Sequence, residues 1–336
     1  MSMNRPTMVW PGPARLTLVA LAVIPAALAY PWPTTRDRWI LGVAVAIVIL
    51  LLAWWRGLHI TTLLRRGLAV LSGNRIKRAP ADPVTTTTAV LSVTPTEGAD
   101  GVLPLPLLAG YLDRYGIRAD SIQITSRDGD PEQGQRDTWI GLTVAAADNL
   151  AALQARSASV PLQETARVAA RRLADHLREL GWDAAVAQSE DVPMLIETGG
   201  KETWRAVADE QGDYLAAYRI SVDGALSETL REVWLQPTKE TWTAMQITGT
   251  PAEPAVAAAC ALRTAERPAA AAPLGGLTPQ RGIHRAVLAA MDPLSGDRLQ
   301  GRTEVGVATL AGVPWPLQRP RRAKKKTRGR HATVGG

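Results

Sequence analysis

The sequence predicts an α+β (mixed α/β) cytosolic domain preceded by a two-helix transmembrane hairpin, on three observations. Trp39 to Trp55, WILGVAVAIVILLLAWW, runs 17 residues without a charge or a proline and is followed at once by Arg56. At about 1.5 Å per residue such a helix would span roughly 25 Å, close to a hydrocarbon core of about 30 Å. A second apolar segment, Leu16 to Tyr30 (LTLVALAVIPAALAY), precedes it by the eight residues Pro31 to Arg38. From about Val84 the pattern changes to alternating and amphipathic stretches typical of a folded body.

These observations divide the chain into a tail (1–15), a hairpin (16–56, with helices at about 16–30 and 39–55), a basic juxtamembrane helix and linker (57–83), an α+β domain (84–292) and a C-terminal segment with a disordered basic tail (293–336). Two competitors stand beside the hairpin. The apolar 39–55 stretch also suits a buried core helix, and Arg15 with Ala27-Leu28-Ala29 also suits a cleaved signal peptide. In the hairpin reading Trp39, Trp54 and Trp55 occupy the headgroup zones, and Arg56, Arg65 and Arg66 face anionic lipid. Six bases follow the second segment (Arg56, Arg65, Arg66, Arg75, Lys77, Arg78) against Arg36 and Arg38 in the connector. That asymmetry makes the chain a multi-pass protein of the inner (plasma) membrane with both termini cytoplasmic. Leu58, Leu64, Leu68 and Leu71 then recur at helical spacing, as in a helix lying on the membrane surface or against a neighbour.

Within the body, Thr87–Thr94 is rich in β-branched residues and reads as a strand, and Leu107–Tyr115 as a short helix stopped by Gly116. Ser121–Arg127 and Thr138–Ala145 alternate around a polar loop and read as a hairpin. Pro161–Leu180 is the clearest helix, with Leu162, Ala166, Ala169, Leu173, Leu177 and Leu180 as its apolar stripe and Gly181 as its terminator. Strands are expected at Trp182–Gln188, Thr203–Ala208, Tyr214–Val222 and Glu240–Thr248, and helices at Ala225–Leu235 and within Leu277–Met291. Val256–Thr264 is ambiguous, and order is doubtful beyond Asp292.

Charge and cysteine content narrow the function classes. The net charge of +7 is carried by the ends: residues 1–78 hold ten Lys/Arg against Asp37, and 319–330 hold eight bases and no acid. Residues 79–318 keep 20 bases against 30 acids, so the body is acidic and the basic pI marks no nucleic-acid face. The single cysteine, Cys260, rules out an internal disulfide and reads as a small buried hydrophobe.

No constellation for catalysis emerges, and no cofactor or metal is expected. His59, His176, His284 and His331 share no metal-ligand spacing, and His176 reads as a structural neighbour of the helix stripe. Thr198–Thr203, TGGKET, lacks both the first glycine and the Ser/Thr of a phosphate loop and reads as a turn. Asp128-Gly129-Asp130 has the D-x-D form by which glycosyltransferases hold a divalent cation, which leaves a membrane-anchored transferase as the alternative function; turn chemistry also explains the motif.

The order of these features carries a resemblance: two apolar segments, WWRG closing the second, a basic stretch, then TLREVWLQPTKETWTAMQI (Thr229–Ile247) and PLGGLTPQRGIHRAVL (Pro273–Leu288). The chain resembles the EccE family of actinobacterial type VII (ESX) secretion systems, and its length is similar to the subtype linked to metal acquisition. The resemblance implies a non-enzymatic subunit that assembles and stabilises the membrane complex beside the EccB, EccC and EccD components, with ATP hydrolysis left to EccC. It supplies no catalytic residue.

Overall fold

The computed structural model describes residues 85–96, 101–129, 136–155, 161–196 and 200–318, with residues 21, 24, 39, 41–43, 45, 54–55 and 58–59 before them. The chain forms two compact units, Met1–Ile76 and Lys77–Gly336.

In the first unit the transmembrane hairpin is corrected. Leu21, Ile24, Trp39, Leu41, Gly42, Val43 and Val45 are helical, but among the described residues no helix is long and apolar enough to cross a membrane. Strand β1 (Trp54–Trp55) pairs antiparallel with β2 (Leu58–His59), Trp54 opposite His59. Extended chain therefore stands where the second helix was expected to end and the juxtamembrane helix to begin. Apolar composition dictates what a segment avoids; an unbroken run of helical hydrogen bonds is a separate requirement of a span.

The second unit is sheet-rich. In chain order it contains β3 (Thr86–Pro95), α1 (Leu105–Gly110), β4 (Asp113–Arg114), β5 (Ile117–Asp128), β6 (Arg136–Ala145), α2 (Leu150–Gln154), α3 (Leu162–Glu179) and β7 (Trp182–Val186). There follow β8 (Lys201–Glu202), β9 (Val207–Ala208), β10 (Tyr214–Ile220), α4 (Leu226–Trp234), β11 (Glu240–Gly249) and β12 (Pro254–Thr264). The last are β13 (Leu277–Pro279), α5 (His284–Met291), β14 (Thr303–Glu304) and α6 (Val307–Ala311). The sheet runs β7-β3-β6-β5-β11-β12-β10-β9-β8, antiparallel at every step.

That order contains one motif twice. β3-α1-β5-β6-α3-β7, ordered β7-β3-β6-β5, has the βαββαβ connectivity of ferredoxin-like folds. β10-α4-β11-β12-β13, ordered β13-β10-β12-β11, repeats it with coil at 265–276 in place of the second helix. The hairpins meet edge to edge along β5·β11, from Asp128 opposite Thr241 to Ile122 opposite Ile247. One sheet thus spans both motifs.

Each face buries its own apolar set. α3 lays Leu162, Ala166, Ala169, Leu173 and Leu177 on one face, beside Leu105 and Leu108 of α1 and Leu230 and Val233 of α4. Leu180 leaves the predicted stripe: it is half exposed at the end of α3, where Gly181 turns with φ +90°. On the other face α5 packs Val287, Leu288 and Met291 against Trp139, Trp242 and Ala259. Alanines at 257, 259 and 261 let that layer lie close to the sheet.

Several boundaries differ from expectation. The helix expected at Leu107–Tyr115 is the shorter α1, after Pro104, and the chain then turns into β4. The ambiguous stretch is the 11-residue strand β12, a continuous apolar run buried on both faces, which has no alternation to read. Order extends past Asp292: Leu299, Leu310, Val313, Trp315 and Leu317 are all buried.

Candidate interaction site

The predicted membrane-interface residues are not assembled into a site by the described structure. Trp39 is helical and 72% exposed, Trp54 and Trp55 lie in β1, and Arg56, Arg65 and Arg66 lie outside the described residues. Of the other flagged residues, His59 pairs opposite Trp54 and His331 lies outside the described residues. The Tyr111 hydroxyl stands 3.3 Å from His176 Nδ1. His284 is fully buried, its Nδ1 accepting the Ala217 amide at 3.1 Å between the stretches of β10 that pair with β9 and β13. Cys260 is buried in β12, where burial pushes its thiol up.

The D-x-D loop is not arranged as a cation site. Asp128 ends β5 with 1% exposure, and both its oxygens accept from Arg136 of β6, Nε to Oδ1 and Nη2 to Oδ2, each at 2.6 Å. Its carboxylate is thus already engaged by a bidentate fork, while Asp130 lies outside the described residues. Among the described residues no group of three or more His, Cys, Asp or Glu stands close enough to hold a metal.

The Asp128–Arg136 pair instead anchors the C-terminal segment. Arg136 Nη1 donates to Pro316 O at 2.7 Å, and its guanidinium lies 4.7 Å from the Trp234 ring. Trp315 stands edge-on to Trp234 at 5.6 Å and donates to Ser126 Oγ at 2.9 Å. Backbone bonds from Leu103 to Trp315 and from Leu317 to Gly101 close the clamp. On the opposite face Gln123 and Gln246, paired across the β5·β11 joint, hold the strap 291–299 through Asp292 O, Asp297 O and the Leu299 amide.

Other titratable groups serve the scaffold. Burial raises Glu240, but Arg263 and Arg127 donate to it at 2.8 and 2.5 Å and hold its carboxyl below the usual range. Glu202 caps the first turn of α5 through the Arg285 amide, and burial keeps its carboxyl raised.

Between α4, the sheet and the β14–α6 segment runs a groove of about 430 Å³. Met245 and Val256, both fully buried, lie deep in it; Leu226, Leu310 and Val313 form its sides, and Asp223 and Glu304 are exposed among its lining residues. The groove is thus apolar at its base and acidic at its rim. Neither groove nor clamp was legible beforehand, because both depend on residues 293–317.

Among the described residues, then, the geometry defines a sheet-built module with a groove lined largely by apolar side chains. Comparison with known proteins makes that class specific. The profile of the family described as "Putative type VII ESX secretion system translocon, EccE" matches residues 133–253. The chain is 53% identical over 312 residues to the ESX-3 secretion system protein EccE3 of Mycobacterium tuberculosis (strain CDC 1551 / Oshkosh), covering 91% of this chain and 93% of that relative. It is 52% identical over 288 residues to the protein of that name from Mycolicibacterium smegmatis, covering 86% and 90%. The chain belongs to the EccE family of type VII secretion.

Proposed function

We propose that this protein is a structural subunit that assembles and stabilises the inner-membrane core of a type VII secretion machine of the ESX-3 kind, without catalysis of its own. The observation that carries this reading is kinship with proteins named for the ESX-3 system over nine-tenths of the chain. The engaged Asp128 carboxylate and the open groove support it, since both suit packing better than turnover. The partners are the EccB, EccC and EccD components, with EccC supplying ATP hydrolysis. Membrane association through Trp39, Trp54, Trp55, Arg56, Arg65 and Arg66 at headgroup level, with the body on the cytoplasmic side, completes the proposal.

Mild-detergent extraction from the native host followed by native-size separation tests it. The protein is expected to migrate with the other components far above its own 36.0 kDa and to be required for export. Migration alone, with export intact in its absence, overturns the reading.

A further inference from the structure

The turn between β4 and β5 carries a feature that the scaffold does not require. Asp113 faces Arg118 and Arg114 faces Ile117, leaving Tyr115-Gly116 as a two-residue connection with φ of +56° and +69°. This is the type I′ geometry, which Asn-Gly meets at least cost. Tyr115 is the one non-glycine residue with positive φ among the described residues. Its Cβ is crowded by the following carbonyl in a way that asparagine better tolerates.

The side chain on this strained backbone is not buried in return. Tyr115 is 54% exposed, with the Arg172 guanidinium 4.8 Å and the Arg114 guanidinium 5.2 Å from its centroid. Beneath it the buried Tyr111 ring lies edge-on at 6.3 Å and ties the turn to α3 by donating to Arg172 O at 3.1 Å. Val168, 37% exposed, lies one turn before Arg172 on α3, and the exposed Arg171 is its neighbour. Arg167 and Arg178 pair with Glu164 and Asp175, whereas Arg114, Arg171 and Arg172 pair with no carboxylate among the described residues.

We propose that this turn and the adjoining face of α3 bind an acidic segment of a partner protein, a short stretch with Asp or Glu beside an apolar residue. Guanidinium groups already held against an aromatic ring present their N–H edges to a carboxylate at little further ordering cost. Tyrosine and arginine together are the side chains on which protein interfaces concentrate their binding energy. A protein segment fits better than a lipid surface. Residues 79–318 hold 30 acids against 20 bases, so their summed field opposes an extended anionic plane, while a single short segment is read at contact. The proposal rests on the reading of the chain as an assembly subunit and names one of its contact surfaces.

The test uses the full-length chain in detergent with a fluorescein-labelled Glu-Glu-Leu-Glu-Glu peptide at physiological salt. Binding by the basic tail is common to every variant, so the readout is the difference between variants. Tyr115→Asn and Arg172→Gln are expected to weaken binding about tenfold each, while Arg302→Gln, at an exposed arginine elsewhere, changes nothing. Tyr115→Asn is expected to melt no lower than the parent, because the turn loses its strain. Three results overturn the proposal: equal peptide binding by all variants, a clear fall in the melting temperature of Tyr115→Asn, or loss of binding to phosphatidylglycerol vesicles with peptide binding intact. Native-size separation of the unsubstituted protein, run alongside, reports separately on the assembly reading.

Discussion

Asp128 illustrates how a residue's meaning changes with its neighbours. In sequence it stands in an acidic loop with a glycine, the pattern of a cation ligand; in the structure it is one half of a buried ion pair with Arg136. Breaking such a pair from one side leaves a buried charge uncompensated, at a cost of about 3–5 kcal/mol. Arg136→Met and Asp128→Leu are therefore each expected to lower stability by roughly that amount in urea unfolding, and the double variant by less than either. Glu240 supplies a pH signature. Its carboxyl is held below its ordinary value of 4.5, so the stabilisation is present above that pH and is lost as the pH falls through the folded-state value. Glu240→Gln is expected to be less stable near neutrality, because Arg127 and Arg263 lose the negative charge they share while Arg263 keeps Asp209. Its deficit against the parent should narrow below about pH 4.5 in melting curves taken across that range.

At the scale of elements, the strap 291–299 depends on a close approach to β6. A Cβ on Gly141 would stand 2.6 Å from Pro293 O, against backbone that cannot rotate away. Gly141→Ala is expected to displace the strap and lower the melting temperature by several degrees, with faster amide exchange at Leu294 and Leu299. A Gly141→Ala protein that melts with the parent would show that the strap adds little. The helix α3 was legible because its 3.6-residue stripe and its terminating glycine are both local signals. β5 and β6 were legible from alternation around a polar loop. β12 was not, because a strand buried on both faces shows no period.

For the whole molecule, the sheet is one object made from two similar halves, and its centre is the β5·β11 pairing between residues more than a hundred positions apart. The sequence by itself determined the mixed helix-and-strand character of the body, the acid excess between basic ends and the kinship with EccE proteins. The first two follow from composition and short-range periodicity, which a linear chain displays directly, and the third from the resemblance carried by the ordered stretches Thr229–Ile247 and Pro273–Leu288. Only the tertiary structure decided which strands meet, that buried side chains between Leu299 and Leu317 are packed onto the sheet, that Asp128 is engaged by Arg136 and that Tyr115 is held outward between two arginines. It also removed the helical hairpin expected from the apolar N-terminal runs, since extended pairing at Trp54–His59 is a conformational fact that hydropathy does not encode. For the strand order, the packed segment and Asp128 the physical reason is shared: each depends on groups that become neighbours only when distant segments pack, and their energies are settled by that packing instead of by local preference.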